Sequence, residues 1–328
     1  ADATSPRWRR QFAHAPSRLG NVEDDALPLF GYVVDELRAA GLPTEFALIP
    51  FVESGYRPGA RNASGPAGLW QFIATTARNH RVPMESGYDG RLSAVDSTRA
   101  AVRYLKTLYG MFGGDWQLAV MAYNAGEYRI LQALRRGGMN AQNARPAELP
   151  GLSPITHAYV EKLHALACVL EQAEKEPELM AALDRPVPVL RGHALPAGTT
   201  LAEWSARNAL DPARVARLNP AVNGKRAGVR VLAPALPDML LGSESQIAAS
   251  TTPAVSLPAP ARVDVAGTAV ATVSTAGTGR GHTVRSGESA WTIARRYGIP
   301  VKTLLSRNNL DANAILKPGM VLRFEESR

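Results

Sequence analysis

"ALIPFVESGYRP", residues 47–58, is the stretch whose reading decides what this chain is. Leu48, Ile49, Pro50, Phe51 and Val52 form an apolar run, Glu53 ends it, and Ser54, Gly55 and Tyr56 break it at once. Burying a carboxylate is costly unless it is paired, hydrogen-bonded or kept protonated. Two readings stand at this point. Glu53 is either a surface residue at the end of an amphipathic helix, or an acid held in apolar surroundings for proton transfer. If it ends a helix, it faces the negative pole of that helix's dipole. Desolvation acts in the same direction, and both favour a proton-donating carboxyl near neutrality.

Three further stretches carry polar groups of a matching kind. "GPAGLWQF" (65–72) is a Gly-rich approach to an amide, Gln71, between Trp70 and Phe72. "AYNAGE" (122–127) ends an apolar segment with Tyr123 and Asn124, and "THAYV" (156–160) presents Tyr159. An acid surrounded by amides, tyrosine hydroxyls and aromatic faces suits a sugar polymer, with Trp70, Phe72, Tyr123 and Tyr159 lining a cleft. Singly, each residue has a plainer reading: Trp70 and Phe72 as core, Asn124 as a helix end, Tyr159 as a core-edge hydroxyl.

Working outward, residues 22–180 read as a packed all-α domain with no period-two strand. Leu27, Phe30, Val33, Val34 and Leu37 share one helical stripe, which Gly41 and Pro43 end, and Thr44 is placed to cap the short helix that leads to Glu53. Val102, Leu105, Leu108, Tyr109 and Phe112 form another stripe, stopped at Gly113-Gly114. The segment beginning "DWQLAVMAY" is almost continuously apolar and reads as a central buried helix, and Tyr159, Leu163, Leu166 and Leu170 mark one more. Beyond Asp184 the texture becomes rich in Pro and Gly. Residues 238–280 are dominated by Ala, Thr, Ser, Val, Pro and Gly, which reads as a flexible linker. Residues 281–325 follow a strand–helix–helix–strand pattern. Residues 196–220 align with 285–309 without a gap, matching Gly198 to Gly287 and Asn219 to Asn308, as a degenerate copy of one module would.

Composition narrows the partners. The formal net charge is +8, which favours anionic partners such as cell wall. Apart from Arg7, Arg9 and Arg10 the basic residues are dispersed, which argues against a nucleic-acid groove. Cys168 is the single cysteine, so no intramolecular disulfide can form. Apart from His157 and His164, two helical turns apart, the six histidines show no metal-ligand spacing with Cys or carboxylates, and neither a metal nor another cofactor is expected. No apolar run reaches membrane-span length, and the chain begins "ADATSPRW" without an apolar signal segment.

"PFVESGYRPGARNASGPAGLWQFIATTARN", "YDGRLSAVDSTRAAVRYL", "GDWQLAVMAYNAGE" and "LPGLSPITHAYVEKLHAL" together resemble the lysozyme-like catalytic domain of lytic transglycosylases. "SGESAWTIARRYG" resembles the signature of a LysM domain, a βααβ carbohydrate-binding unit. The resemblance implies a mainly α lysozyme-like domain over 1–185, a degenerate LysM-like unit over 186–237, a linker over 238–280 and a LysM domain over 281–325. It implies peptidoglycan glycan strands as substrate and Glu53 as the single catalytic acid/base. Ser54, Asn62, Gln71, Tyr123, Asn124 and Tyr159 would bind substrate, with Tyr159 hydrogen-bonded to Glu53. In the LysM domain the glycan groove would use Gly287, Glu288, Ser289, Ala290, Leu310, Asp311 and Ile315. The expected location is periplasmic, with any outer-membrane lipid anchor preceding residue 1.

The chain departs from the family pattern at several positions. Asn62 stands where Ser is common, Ile155 where Glu is usual, and Tyr128 where Gly is usual. The LysM loop Gly287-Glu288-Ser289-Ala290 replaces the usual Gly-Asp-Thr-Leu, and the earlier copy has Gly198-Thr199-Thr200-Leu201, where a structural role is expected. These touch subsite contacts and leave the acid in place. Two rival readings are a goose-type lysozyme hydrolase, using the same acid with water as nucleophile, and a non-catalytic wall-binding scaffold.

Overall fold

The computed structural model describes residues 5–237, 281–284, 293, 301–310 and 320–324. Helices α1 (Pro6–Phe12), α2 (Ala15–Gly20) and α3 (Ala26–Ala39) lead to a 3-10 turn at Thr44–Leu48 and then to α4 (Ile49–Ser54). There follow α5 (Ala74–Asn79), α6 (Ala94–Met111), α7 (Trp116–Ala125), α8 (Glu127–Arg136), α9 (Pro154–Ala173) and α10 (Pro177–Leu183). The region is mainly helical, as its apolar periodicity predicts.

α7 lies at the centre. Leu118, Ala119, Val120, Met121 and Ala122 are all buried, because α6, α8 and α9 pack around this helix. Apolar residues all round a helix are what such a position requires. The apolar run does not continue as one helix. Gly126 adopts φ 89° and ψ 141°, a conformation that separates α7 from α8.

Three local expectations differ from the structure. On α3 the fully buried face is Leu29, Val33 and Leu37 with Tyr32, while Leu27, Phe30 and Val34 are half-buried at its edge. Thr44 does not cap: the 3-10 turn starts at Thr44, Pro43 holds the cap position, and no side chain bonds there. A short antiparallel hairpin, β1 (Met84–Glu85) with β2 (Tyr88–Asp89), interrupts the helices. Two-residue strands are too short to show alternation, so periodicity alone has no signal there.

β3 (Leu190–Ala194) pairs antiparallel with β4 (Arg230–Pro234), in register from Leu190↔Pro234 to Ala194↔Arg230. Between them lie α11 (Leu201–Arg207) and α12 (Pro212–Leu218). Thr200 and Glu203 form a capping box at the start of α11, and Asp211 caps α12. Leu190, Leu218 and Leu232 join the main helical core, so this βααβ unit is packed onto the helices. Ion pairs border the seam: Arg214 and Arg217 to Asp25, each at 3.1 Å, and Arg191 to Asp35 at 3.1 Å. Partly exposed pairs of this kind contribute about 0–1 kcal/mol each, so the buried leucines dominate the docking.

The chain divides into two compact units, Ala1–Thr252 and Pro253–Arg328. In the second, β5 (Gly281–Thr283) pairs antiparallel with β6 (Val321–Arg323), and the helix Val301–Arg307 packs on a small core of Val284, Ile293, Leu304 and Leu322. Asn308 donates to the carbonyls of Leu304 (2.7 Å) and Arg323 (2.9 Å) and accepts from the Arg323 N–H at 2.7 Å. Its counterpart in the repeat, Asn219, donates to Val215 (2.8 Å) and Leu232 (2.6 Å) and accepts from the Leu232 N–H at 2.6 Å. The two asparagines that align in sequence thus make the same bridge from helix end to strand. The linker expected at 238–280 lies outside the described residues.

Candidate active site

α4 is only six residues long and needs tertiary support. Ile49, Pro50 and Phe51 are buried and fix its start in the core. Gly55 ends it in the left-handed conformation (φ 60°), and the Tyr56 N–H donates to the Pro50 carbonyl at 3.1 Å. Tyr56 itself has φ 55°, which is uncommon for a residue with a Cβ. Its buried ring packs 4.6 Å from that of Phe51, and its hydroxyl donates to the Ala47 carbonyl at 2.6 Å. Arg18 donates to the Gly55 carbonyl while its guanidinium grips Asp24 at 2.8 and 3.0 Å. These contacts hold the turn that carries Glu53. Neither Arg18 nor Tyr56 emerges from sequence reasoning, because backbone carbonyls accepting from distant side chains leave no periodic mark.

Glu53 is half-buried on the last turn of α4. Tyr159, from α9, donates its hydroxyl to Glu53 Oε1 at 2.6 Å. Burial pushes the carboxyl up to about 7, against the opposing pull of the Tyr159 bond and of the nearby Lys162 charge. Tyr159 and Lys162 lie one turn apart on α9, so one helix supplies both groups that restrain the rise. The Tyr159 and Tyr123 hydroxyls are held far above their ordinary pKa by burial and by the Glu53 charge, so both remain proton donors. Tyr159→Phe removes the donor to the carboxylate. The Glu53 pKa should then rise further above 7, as read by carbon-13 NMR titration of a labelled carboxyl. An unchanged or lowered midpoint would show that the 2.6 Å bond does not favour the charged form.

The loop of residues 60–72 forms the neighbouring wall. The Gly68 N–H donates to the Ala60 carbonyl at 2.7 Å, and the Ala67 N–H donates to the Phe72 carbonyl at 3.2 Å. Buried Arg91 donates to the carbonyls of Gly65 (2.9 Å) and Phe72 (3.1 Å), and is itself held by Asp89 at 2.8 Å. Trp70 and Phe72 are 1% and 3% exposed, so they are core residues and do not line an open cleft. Trp70 donates from its indole N–H to Thr98 at 2.9 Å. Tyr123 is half-buried and donates to the Trp70 carbonyl at 2.7 Å, which ties α7 to the loop beside Glu53.

The remaining sequence candidates divide by how their polar atoms are used. Gln71 has φ 50°, and its amide nitrogen donates to Gly68 (2.8 Å) and Ala60 (3.3 Å). Its carbonyl oxygen makes no hydrogen bond among the described residues. Asn124 is exposed and accepts from Thr156 at 3.1 Å. The Ser54 hydroxyl lies between the carbonyls of Leu69 (2.7 Å) and Pro50 (3.1 Å), bridging α4 to the loop. Exposed Asn62 accepts from Ser64 N–H (3.0 Å) and hydroxyl (2.8 Å), shaping its own turn. Glu127, which the sequence reading left without a role, accepts from Tyr104 at 2.8 Å. The buried Tyr104 ring packs tilted against those of His80 (4.1 Å) and Tyr123 (5.9 Å), in the core behind Tyr123. Of the LysM candidates, Leu310 is half-buried against the small core, its N–H donating to Leu305 at 2.9 Å. Gly287, Glu288, Ser289, Ala290, Asp311 and Ile315 lie outside the described residues.

Comparison with known proteins bears on this geometry. Residues 35–145 match the Transglycosylase SLT domain and residues 282–324 match the LysM domain. The first match takes in α4 and ends before Tyr159. The chain is similar to membrane-bound lytic murein transglycosylase D of Escherichia coli (strain K12), 29% identical over 323 residues, 96% of this chain and 67% of that protein. It is also similar to peptidoglycan transglycosylase gp16 of Escherichia phage T7, 35% identical over 94 residues, 27% of this chain and 7% of the phage protein. Among solved structures, a lytic transglycosylase Slt from Pseudomonas aeruginosa matches with TM-score 0.34 and 23% identity, over 45% of this chain and 25% of that chain. The chain therefore carries a mainly helical, lysozyme-like SLT transglycosylase domain together with a LysM domain.

Proposed function

We propose that this chain, with its SLT transglycosylase domain and its LysM domain, is a lytic transglycosylase of peptidoglycan with Glu53 as the single acid/base. The observation that carries the reading is the Glu53 carboxyl, raised to about 7 and bonded to Tyr159 at 2.6 Å. Near neutrality such a group is shared between its acid and base forms, as one residue serving both steps must be. Glu53 gives its proton to the oxygen joining N-acetylmuramic acid to N-acetylglucosamine, and the bond from that oxygen to C1 breaks. The muramoyl 6-hydroxyl then attacks C1. Its proton returns to Glu53, a 1,6-anhydro ring closes, and no water is consumed.

Two features support an internal nucleophile. Among the described residues the Glu53 carboxyl is hydrogen-bonded to Tyr159 and to no second carboxyl group. Most glycosidases that activate water or form a covalent intermediate use two carboxylates. The 6-hydroxyl also belongs to the reacting sugar, which gives it a high effective concentration. Gln71 and Asn124 would hold hydroxyl or acetamido groups, since both present amide atoms beside Glu53's wall. Ser54 and Asn62 shape the loop in this reading and touch sugar less. The LysM domain would grip glycan, and the earlier βααβ unit, docked by Leu190, Leu218 and Leu232, would buttress the helices. No helix among the described residues is long and apolar enough to cross a membrane. The substrate puts the working location in the cell envelope, on the periplasmic side.

Digestion of purified murein, read by mass spectrometry, tests the proposal. Products should end in 1,6-anhydro-muramic acid, weigh one water less than hydrolysis products, and resist borohydride. Reducible muramic acid ends would replace this reading by the hydrolase, and absence of any cleavage would favour the binding scaffold.

A further inference from the structure

Beside the candidate site, a cavity of about 160 Å³ opens between α8 and the start of α9. Arg129, Gln132 and Arg136 of α8 form one wall, at the i, i+3 and i+7 spacing that puts them on one helical face. Gly151, Ser153 and Thr156 form the other. Neither Arg129 nor Arg136 has an ion pair or side-chain hydrogen bond among the described residues, whereas Arg145, outside the cavity, is paired with Glu148. Gly151 (φ 74°) makes room for one of them: a Cβ there would sit 2.7 Å from Arg136 Nη1. No acidic residue lines the cavity. Two free guanidiniums over a recess of this size form an anion site, and guanidinium is the side-chain group best matched to a carboxylate.

The cavity is joined to the chemistry. Thr156, on its wall, donates to Asn124 at 3.1 Å. Thr156 is also three residues before Tyr159 on α9, about 4.5 Å along the axis, and Tyr159 holds Glu53. One turn of α9 thus serves both places, with Thr156 on the cavity wall and Tyr159 on the candidate acid. On the reading given above, which this inference rests on, the sugar at Glu53 is a muramoyl residue, and muramoyl residues bear a peptide stem with free carboxylates. We propose that Arg129 and Arg136 form a subsite for a carboxylate of the peptide stem, so that the enzyme reads the stem as well as the glycan.

The test uses the full chain, as wild type and as the Arg129→Gln/Arg136→Gln double variant. The substrates are murein glycan with its stem carboxylates free and the same glycan with them converted to carboxamides. For the wild type, amidation should raise KM about tenfold with kcat little changed. The double variant should show that same rise on the free-carboxylate glycan and no further rise on the amidated one. Binding of the soluble disaccharide–tetrapeptide, followed by calorimetry, gives the same comparison without turnover. A wild type indifferent to amidation in both measurements overturns the subsite, as does an equal loss by the double variant on both substrates. If stem binding depends on the arginines but no glycan is cleaved, the subsite stands and the transglycosylase reading fails.

Discussion

Glu53→Gln should lose at least 10²- to 10⁴-fold in murein turnover, the usual span of a general acid–base contribution, while the protein gains stability above pH 7. The amide keeps an oxygen to accept the Tyr159 hydrogen bond, so the packing around α4 need not change. It cannot give a proton to a leaving oxygen or take one from an attacking hydroxyl. The stability effect follows from linkage. Glu53 ionises near 7 in the folded chain against 4.5 ordinarily, so the folded state binds the proton more tightly than the unfolded state. Below pH 4.5 both states are protonated and the substitution should be nearly silent. Between 4.5 and 7 the unfolded state ionises first, and wild-type stability falls by up to about 3 kcal/mol, less what partial exposure screens. Gln carries no such penalty. Melting curves at pH 4, 6 and 8 should therefore coincide at the lowest pH and separate at the highest, with the variant above the wild type. Retention of near wild-type turnover would end the assignment of Glu53. An unchanged melting difference across the three pH values would show that the carboxyl ionises normally.

Much of this site was legible in the chain, but through two different signals. The apolar run that stops at Glu53-Ser54-Gly55 predicts a short helix with a carboxylate on its last turn, and the structure has that helix. The pairing of Glu53 with Tyr159 spans 106 residues, and only the resemblance to lytic transglycosylases pointed to it. Nothing in local propensity could. Trp70 and Phe72 show the opposite failure. An aromatic pair around a candidate amide invites a binding-face reading, but a loop closed by Arg91 and Thr98 turns both rings into the core. Arg18 and Arg91 were invisible for a shared reason. Each uses its guanidinium to hold main-chain carbonyls of a distant loop, at Gly55 for Arg18 and at Gly65 and Phe72 for Arg91. Such contacts depend on where the loop passes, not on residue type at a fixed spacing. Arg129 and Arg136 give no sequence signal either, because the recess they share is completed by residues 150–153, fourteen and more residues further along the chain.

Gly68→Ala should be the most destabilising glycine-to-alanine change among the described residues, and it should disable the candidate site without touching Glu53. Gly68 has φ +84°, where a Cβ is strained, and the added atom would lie 1.7 Å from the Arg91 carbonyl oxygen and 2.6 Å from its carbon. The obstacle is backbone, so no rotamer change relieves it. Either the 60–72 loop or the Gly90–Leu92 turn must move. The loop carries the carbonyls of Leu69 and Trp70, which accept from Ser54 and Tyr123, and it carries Gln71. A shift there would disconnect α4 and α7 from the wall beside Glu53. Left-handed backbone strain costs roughly 1–2 kcal/mol and overpacking typically about 1–3 more, out of a total stability of about 5–15. The expected fall in Tm is about 10 °C, taking about 2–4 °C per kcal/mol for a chain of this size. Gly65→Ala is the matched control. It sits in the same loop at φ +114°, with nothing within 4 Å of the added Cβ, so only backbone strain applies. Its Tm should fall by a few degrees and its activity should largely persist. Because both glycines lie in one loop, general loop fragility would lower the two melting points together. The contact with Arg91 lowers only one. Equal shifts in the two variants would mean that the loop does not press on the Arg91 backbone, and that the geometry beside Glu53 is held by other contacts.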